Sequence, residues 1–352
     1  ETLKADFDKL PRVNPQAVKT EKPVDLSDLF KAARDLQALR KEGGELDEAL
    51  DRLQTEIYRI RPPEGEVVSF EKVSEDYELW VKDNLAHPGV VQGFKTGVDK
   101  LDDLTGGLDI GCYYVVLAET GMGKSTVVST VGSNLADQAP GIIIPTESTA
   151  RNWWNNIIAY RCDIPKHLMR QGRLTSQQAA MIYSTNAILR DLKCEVIECQ
   201  NPTPSHILQV ARRAIDNYGC KWIILDSLSN VKSEGSRGIF DTVSDASDCA
   251  QELARMGLSV LSTSQVGRSL EGRENRIPTL HDGKGSGRIE ENADVVLGLY
   301  NHDNLVKRGS KEPISAFPEG TVAIRCLKHR FMGEKEGVLI QVEFKGGIGI
   351  YG

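Results

Sequence analysis

Residues 112–126 read CYYVVLAETGMGKST. A run of β-branched and aromatic residues passes without a break into T-G-M-G-K-S and then into a helical pattern. Strand, glycine loop and helix in immediate succession leave a chain few options, because this is the local frame of a phosphate-binding loop. The loop departs from G-x-x-x-x-G-K-[ST] at its first position, where Ala118 stands. Gly121 and Gly123 are where the backbone must curl so that its N–H groups converge. The following helix adds the positive end of its dipole. Thr120, Gly121, Met122, Gly123, Lys124, Ser125 and Thr126 therefore form the candidate nucleotide cradle. Lys124 has the reach for the β- and γ-phosphates, and Ser125 offers a hydroxyl to Mg2+.

Three further residues share one placement, at the carboxyl end of an apolar run. Asp226 ends KWIILD, where a carboxylate would help Ser125 hold the metal. Glu147 follows GIIIPT and suits both the first turn of a helix and a residue that orients water and takes its proton. Gln265 follows LSVLSTS and suits both a γ-phosphate contact and an ordinary polar strand end. In a doubly wound sheet such ends gather at one edge.

The runs around these residues set the fold class. From residue 93 onward, CYYVVLA, GIIIPT, CEVIEC (194–199), KWIILD and LSVLSTS alternate with helical stretches near 149–162, 205–217 and 240–256. That alternation predicts βαβ units and a mostly parallel sheet. ADVVLGLY (293–300), GTVAIRCL (320–327) and GVLIQVEF (337–344) have only loops between them and read as antiparallel additions at an edge. Upstream, 1–25 reads as a polar arm and 26–60 as two helices broken at Gly43-Gly44, so 1–66 forms an arm and helical hairpin. In 67–92, Phe70, Val73, Tyr77 and Trp80 recur at spacings of three and four, which predicts a helix with one apolar face.

Composition excludes some classes. A net charge of −7 argues against a chain coated with cations, although not against a local basic lining. Seven scattered cysteines without C-x-x-C, and six scattered histidines, suggest reduced core thiols rather than a zinc site. There is no run of 18 apolar residues and the first residues do not resemble a signal peptide, so a cytoplasmic location without a membrane span is expected. The chain does not begin with Met and reads as a fragment or processed product.

The order of these signals resembles the RecA-like core, and the details resemble the DnaB family of replicative helicases. GFKTGVDKLDDLTGGLDIG (93–111) is similar to that family's segment ahead of the nucleotide loop. ETGMGKS, PTES, RQGRLTSQQ (170–178), SQVGRSLEGRENRIPTLHDGKGSGRIEENADVVLGLY (264–300) and IRCLKHRFMGEKEG resemble further family motifs in the family's order. The likeness runs over about 69–352. It departs at DSLSNV after Asp226, and the N-terminal residues are too few for the bacterial family's helical domain.

The resemblance implies a RecA-like fold, doubly wound with antiparallel edge strands and a small helical segment in front. It implies an ATP- and Mg2+-dependent helicase that works on single-stranded DNA as a homo-hexameric ring, with primase, polymerase or a loader as further partners. Lys328 and Arg330 would reach the neighbouring subunit's γ-phosphate; read alone, LKHR is also what a solvated basic strand end looks like. The 67–92 helix would dock on the adjacent subunit, although read alone its apolar face also suits packing on the chain's own core, and DNA contacts would fall on Lys284, Gly285, Ser286, Gly287 and Arg288. Arg268 and Arg273 lie in the same stretch, and Lys232 and Arg237 in VKSEGSRG are further candidates. A RecA/RadA-like recombinase, or a KaiC-like regulatory ATPase that uses no nucleic acid, would share the phosphate loop.

Overall fold

The computed structural model describes residues 69–87, 91–233, 239–267, 273, 276–283, 286–307 and 317–352. The expected arm and hairpin of 1–66 lie outside the described residues. Helix α1, Phe70–Ala86, takes up the 3–4 spacing of its apolar residues. The boundary between the chain's two units, Glu1–Asp83 and Asn84–Gly352, falls inside it. Phe70, Val73, Tyr77 and Trp80 are all at least half exposed, and the last two rings stack at 5.5 Å.

The second unit is built on a nine-stranded sheet in the order β3-β2-β4-β5-β1-β6-β7-β8-β9. Its strands are β1 Tyr113–Ala118, β2 Gly141–Pro145, β3 Cys194–Val196, β4 Trp222–Asp226, β5 Ser259–Gln265, β6 Val295–Tyr300, β7 Thr321–His329, β8 Leu339–Lys345 and β9 Gly349–Tyr351. The helices of this unit are α2 Asp99–Thr105, α3 Lys124–Ala136, α4 Ala150–Cys162, α5 Lys166–Gln171, α6 Ser176–Arg190, α7 Pro204–Tyr218, α8 Ile239–Arg255, α9 Ser286–Asn292 and α10 His302–Lys307.

The pleat of β1 explains the two-sided core. Tyr113, Val115 and Leu117 face one apolar cluster, and Tyr114, Val116 and Ala118 face the other. The first cluster is completed by Ile207, Ala211 and Ala214 of α7, one helical stripe, and by Val243, Ala246, Ala250 and Leu253 of α8. The second takes Val127, Val128, Val131 and Leu135 of α3 with Trp153 and Ile157 of α4. Helix starts follow local chemistry. Thr149, Thr175 and Thr203 each accept a backbone N–H of the helix they precede, and Gln178 completes a capping box with Thr175.

Three expectations need correction. The late strands are not all antiparallel, because β6 pairs parallel with β1 and the reversal begins only at β7. An α-helix, α10, also lies between β6 and β7. CEVIEC supplies only the three-residue β3, which ends at Val196, although the Ile197 N–H still donates to the Ile143 carbonyl at 2.8 Å. Within the stretch that carries the candidate DNA contacts, Gly287 and Arg288 lie in a helix rather than in a loop, because α9 begins at Ser286. None of the seven cysteines is in a disulfide; five are buried, and Cys194 and Cys199 are half-buried. Burial pushes the Cys112 thiol up to about 12. Among the described residues no helix is long and apolar enough to cross a membrane.

Candidate functional site

The carboxyl ends of β1, β2, β4 and β5 meet at one edge. Ala118 is in register with Gln265, and Pro145 with Asp226. Beyond the strands, Thr146 and Glu147 donate their N–H groups to the Asp226 carbonyl, at 2.7 and 3.2 Å. This stitches the β2 and β4 ends together and brings Glu147 beside Asp226. A cavity of about 320 Å³ opens there, lined by Thr120, Gly121, Gly123, Lys124, Ser125, Thr126, Glu147, Gln265, Asn304 and Phe344, among others. Its size falls at the lower end of small-molecule sites, roughly 300–1,000 Å³.

Gly121 and Gly123 have φ of 80° and 99°, a conformation that L side chains rarely adopt. Ala118 is the buried last residue of β1 with an ordinary backbone, so its side chain costs the loop nothing. The buried Lys124 ammonium donates to the Ala118 and Glu119 carbonyls, at 3.0 and 3.2 Å, and so rests inside its own loop. Met122 does not line the cavity. Its side chain is 2% exposed and packs in the core, which leaves only its backbone to face a ligand.

Asp226 is 1% exposed. Thr263 donates to its Oδ1 at 2.7 Å, while Oδ2 has no hydrogen-bond partner among the described residues. Burial pushes its pKa above the usual carboxylate range; the Thr263 and Ser125 hydroxyls act the other way, Glu147 adds to the rise, and Lys124 opposes it. A buried carboxylate oxygen without a donor, close to a serine hydroxyl on the cavity wall, fits a hard cation that takes oxygen ligands through water. Glu147 Oε1 accepts from the Ser227 hydroxyl at 2.7 Å and from the Gln265 amide at 3.1 Å. These two bonds hold the carboxylate at the cavity mouth.

The structure adds Ser227, Thr263, Asn304 and Phe344 to the residues the sequence pointed to. Asn304 donates to the Gly121 carbonyl at 3.1 Å. The Phe344 ring covers Gly123 so closely that a Cβ there would sit 2.8 Å from it. Ser227 and Thr263 could have been suspected from their places next to Asp226 and two residues before Gln265. Asn304 and Phe344 carry no local signal.

Lys328 and Arg330 lie elsewhere. Because β7 is antiparallel to β6, its last residue His329 pairs with Val295, the first of β6. That is the sheet edge opposite the phosphate loop, about 20 Å away for the six residues of β1. His329 is buried between the two cations, which are partly exposed. Arg330 pairs with Asp294 at 2.6 Å. Burial, followed by the Arg330 charge, lowers the Lys328 pKa.

The candidate DNA contacts are mixed. Lys232 is exposed. Arg273 forms a two-pronged pair with the buried Asp282, with nitrogen–oxygen distances of 2.8 and 2.9 Å, and Thr279 donates to the same carboxylate. Burial alone would raise that carboxyl, but Thr279 and Arg273 hold it below its usual range. Arg273 is thus anchored locally. Gly287 and Arg288 are exposed on α9, which Ser286 begins. Arg237, Arg268, Lys284 and Gly285 lie outside the described residues.

A phosphate-type loop, a buried acid on the strand two places away and helices on both faces define a P-loop domain of the RecA-like class. Residues 93–346 match the model of the DnaB-like helicase C terminal domain. The chain is 28% identical over 314 residues to replicative DNA helicase DnaB of Leifsonia xyli subsp. xyli, covering 87% of this chain and 66% of that one. It is 25% identical over 253 residues to the DnaB of Geobacillus stearothermophilus, covering 68% and 56%. It therefore spans just under two thirds, or less, of these relatives' length. Two solved structures share the fold. One, described as a DnaB-like replicative helicase and its interactions with primase, has a TM-score of 0.74 at 18% identity, covering 92% of this chain and 75% of that one. The other, described as an ATPase domain, has a TM-score of 0.69 at 19% identity, covering 78% and 96%. The chain belongs to the DnaB-like helicase C-terminal domain family.

Proposed function

We propose that this protein is an ATP-driven replicative DNA helicase that forms a homo-hexameric ring, translocates on single-stranded DNA and unwinds duplex. The observation that carries this reading is the separation of two charge sets on one sheet. The phosphate cavity opens at the carboxyl edge, and Lys328 and Arg330 stand at the opposite edge. Cations so placed cannot serve their own cavity and suit that of a second copy.

In this reading the loop from Thr120 to Thr126 cradles the phosphates and Lys124 turns from its own carbonyls to the β- and γ-oxygens. Ser125 and Asp226 hold Mg2+, which, when bound, neutralises charge on the phosphates. Glu147 orients the attacking water and takes its proton, and Gln265 ties that carboxylate to β5. Arg330 and Lys328 of a neighbour stabilise charge on the transferring phosphoryl oxygens, an effect worth about 10³–10⁵ in rate. Arg288 and its neighbours meet DNA phosphates, with Lys232 contributing; such contacts are sequence-independent and weaken with salt. The exposed apolar face of α1 docks on an adjacent subunit. Primase, a polymerase or a loader are the expected further partners.

Mixing subunits tests the shared site. Lys124→Ala and Arg330→Ala should each abolish turnover, and mixed rings should regain part of it, because some interfaces then pair an intact loop with an intact finger. Normal turnover in Arg330→Ala alone would remove the in-trans role. Unwinding of forked substrates with a 5′ or 3′ tail reads helicase activity and direction together. Absence of salt-sensitive single-stranded DNA binding would favour a regulatory ATPase, and strand exchange without unwinding a recombinase.

A further inference from the structure

Lys328 and Arg330 are already engaged within their own chain. The Lys328 ammonium donates to the carbonyls of Glu290 and Ala293, the latter at 2.7 Å. Arg330 donates through Nη2 to the Glu291 carbonyl at 2.9 Å and through Nη1 to Asp294 Oδ1 at 2.6 Å. The carbonyls of Glu290 and Glu291 belong to the last turn of α9, where oxygens lack intrahelical donors and the dipole is negative. Asp294 has a second duty. Its Oδ2 accepts from the Tyr113 N–H at 2.9 Å, and its own N–H donates to the Tyr113 carbonyl at 2.8 Å. Tyr113 begins β1, the strand that ends in the phosphate loop. On the exposed side of α9, Arg288 donates to Glu291 Oε2 at 2.8 Å and pairs with Asp248 at 3.4 Å. Glu291 thus touches Arg288 with its carboxylate and Arg330 with its carbonyl.

We propose that Asp294 and the carboxyl end of α9 form a resting dock for Arg330 and Lys328, with Asp294 as the positioning residue, and that single-stranded DNA at Arg288 favours the undocked state. This rests on the reading of Arg330 as an in-trans finger. Arg330 cannot hold Asp294 and a neighbour's phosphate with the same guanidinium nitrogen. The Arg330 side chain is 45% exposed while Asp294 is only 10% exposed, so Arg330 can leave into water, and the carboxylate left behind keeps the Tyr113 N–H. A phosphate offers the guanidinium two oxygens, as a carboxylate does, with more charge. A DNA phosphate at Arg288 competes with the Glu291 carboxylate and loosens the last turn on which both cations rest. DNA shifts the docked population only by as much as it binds the undocked form better. The dock therefore makes turnover depend on DNA.

Asp294→Asn keeps the shape and an oxygen for the Tyr113 N–H while removing the charge that holds Arg330. DNA-free ATP turnover should rise about fivefold, the upper end for an ion pair with one solvent-exposed partner. Stimulation by single-stranded DNA should shrink by the same factor, with KM for ATP unchanged. Unchanged or lower DNA-free turnover at a normal melting temperature would overturn the dock and leave Asp294 a structural residue. Asp294→Asn combined with Arg330→Ala should be as inactive as Arg330→Ala alone; a raised DNA-free rate in the double variant also overturns it. Normal turnover in Arg330→Ala alone would sink the finger reading instead, so the two failures are distinguishable. If Asp294→Asn does not fold, hydrogen exchange on the unmodified protein decides. Adding a non-hydrolysable ATP analogue with single-stranded DNA should lower protection over 286–294 and 326–332 together, and a change in only one segment, or in neither, overturns the linkage.

Discussion

Ser227→Ala tests whether Glu147 is held in place for chemistry. Glu147 Oε1 accepts two bonds, from the Ser227 hydroxyl at 2.7 Å and from Gln265 at 3.1 Å. A hydrogen bond to a charged group is worth about 1.5–3 kcal/mol. Two features reduce that here. The glutamate is exposed to water, and Gln265 keeps a hold on the same oxygen. About 1 kcal/mol should remain, which is roughly fivefold in rate. Ser227 itself is buried and its backbone is fixed by Thr146, whose hydroxyl accepts the Ser227 N–H at 2.7 Å and donates to its carbonyl at 2.8 Å. The hydroxyl also accepts the Ser229 N–H at the longer distance of 3.3 Å, and the two Thr146 bonds should keep the Ser227 backbone in place once it is removed. The assay is steady-state ATP turnover with magnesium and saturating single-stranded DNA. The expected result is a kcat lowered about fivefold with KM within about twofold. Ser227→Ala with Gln265→Ala should fall further than the product of the single effects, because the two bonds share one acceptor atom. A kcat equal to wild type in both single and double variants would refute the role of these bonds, and a raised KM with normal kcat would place Ser227 in binding instead.

Three further perturbations follow from the same geometry. Gly123→Ala forces an alanine into φ of 99° against the Phe344 ring, a cost of about 1–2 kcal/mol that should weaken nucleotide binding roughly 5- to 30-fold in a titration with a fluorescent analogue. Asp226→Asn should abolish magnesium-dependent turnover yet leave thermal stability equal or higher, because the buried carboxylate's raised pKa marks a charge that folding disfavours; a marked drop in melting temperature contradicts this. His329 accepts the Met332 N–H on Nδ1 at 3.1 Å, so its proton is on Nε2 facing the Thr105 carbonyl, and burial lowers its pKa. Its share of stability is then complete above pH 6.5, the unfolded value, and is lost as the pH falls through the depressed folded value. His329→Gln should make the acid side of a stability–pH curve shallower, and an unchanged curve contradicts the assignment.

Much of the nucleotide side could be read from local pattern. A phosphate loop is made by consecutive residues, so CYYVVLA, the two glycines and Lys124 announce strand, curl and helix without help from the rest of the chain. That Glu147, Asp226 and Gln265 meet at one sheet edge was readable because each ends an apolar run, and parallel strands align such ends. The pattern was poorer where strand direction or short elements mattered. Periodicity does not distinguish a parallel from an antiparallel neighbour, so β6 read like the strands after it. A three-residue β9 and a six-residue α10 are too short to show a period, and with them went Asn304.

The sequence by itself determined the strand–glycine loop–helix frame, the alternation of the parallel strands with helices and the family, because each depends on residues close together along the chain. Only the tertiary structure decided what touches what across distance. It placed the Ser227 hydroxyl on Glu147, Thr263 on Asp226 and Phe344 over Gly123, and put Lys328 and Arg330 at the far edge of the sheet against Asp294 and α9. Thr263 and Asp226 are 37 positions apart along the chain, and Gln265 and Glu147 are 118 apart. Such contacts arise from strand order and register, which are fixed when the two faces of the sheet are buried together rather than by any single run of residues.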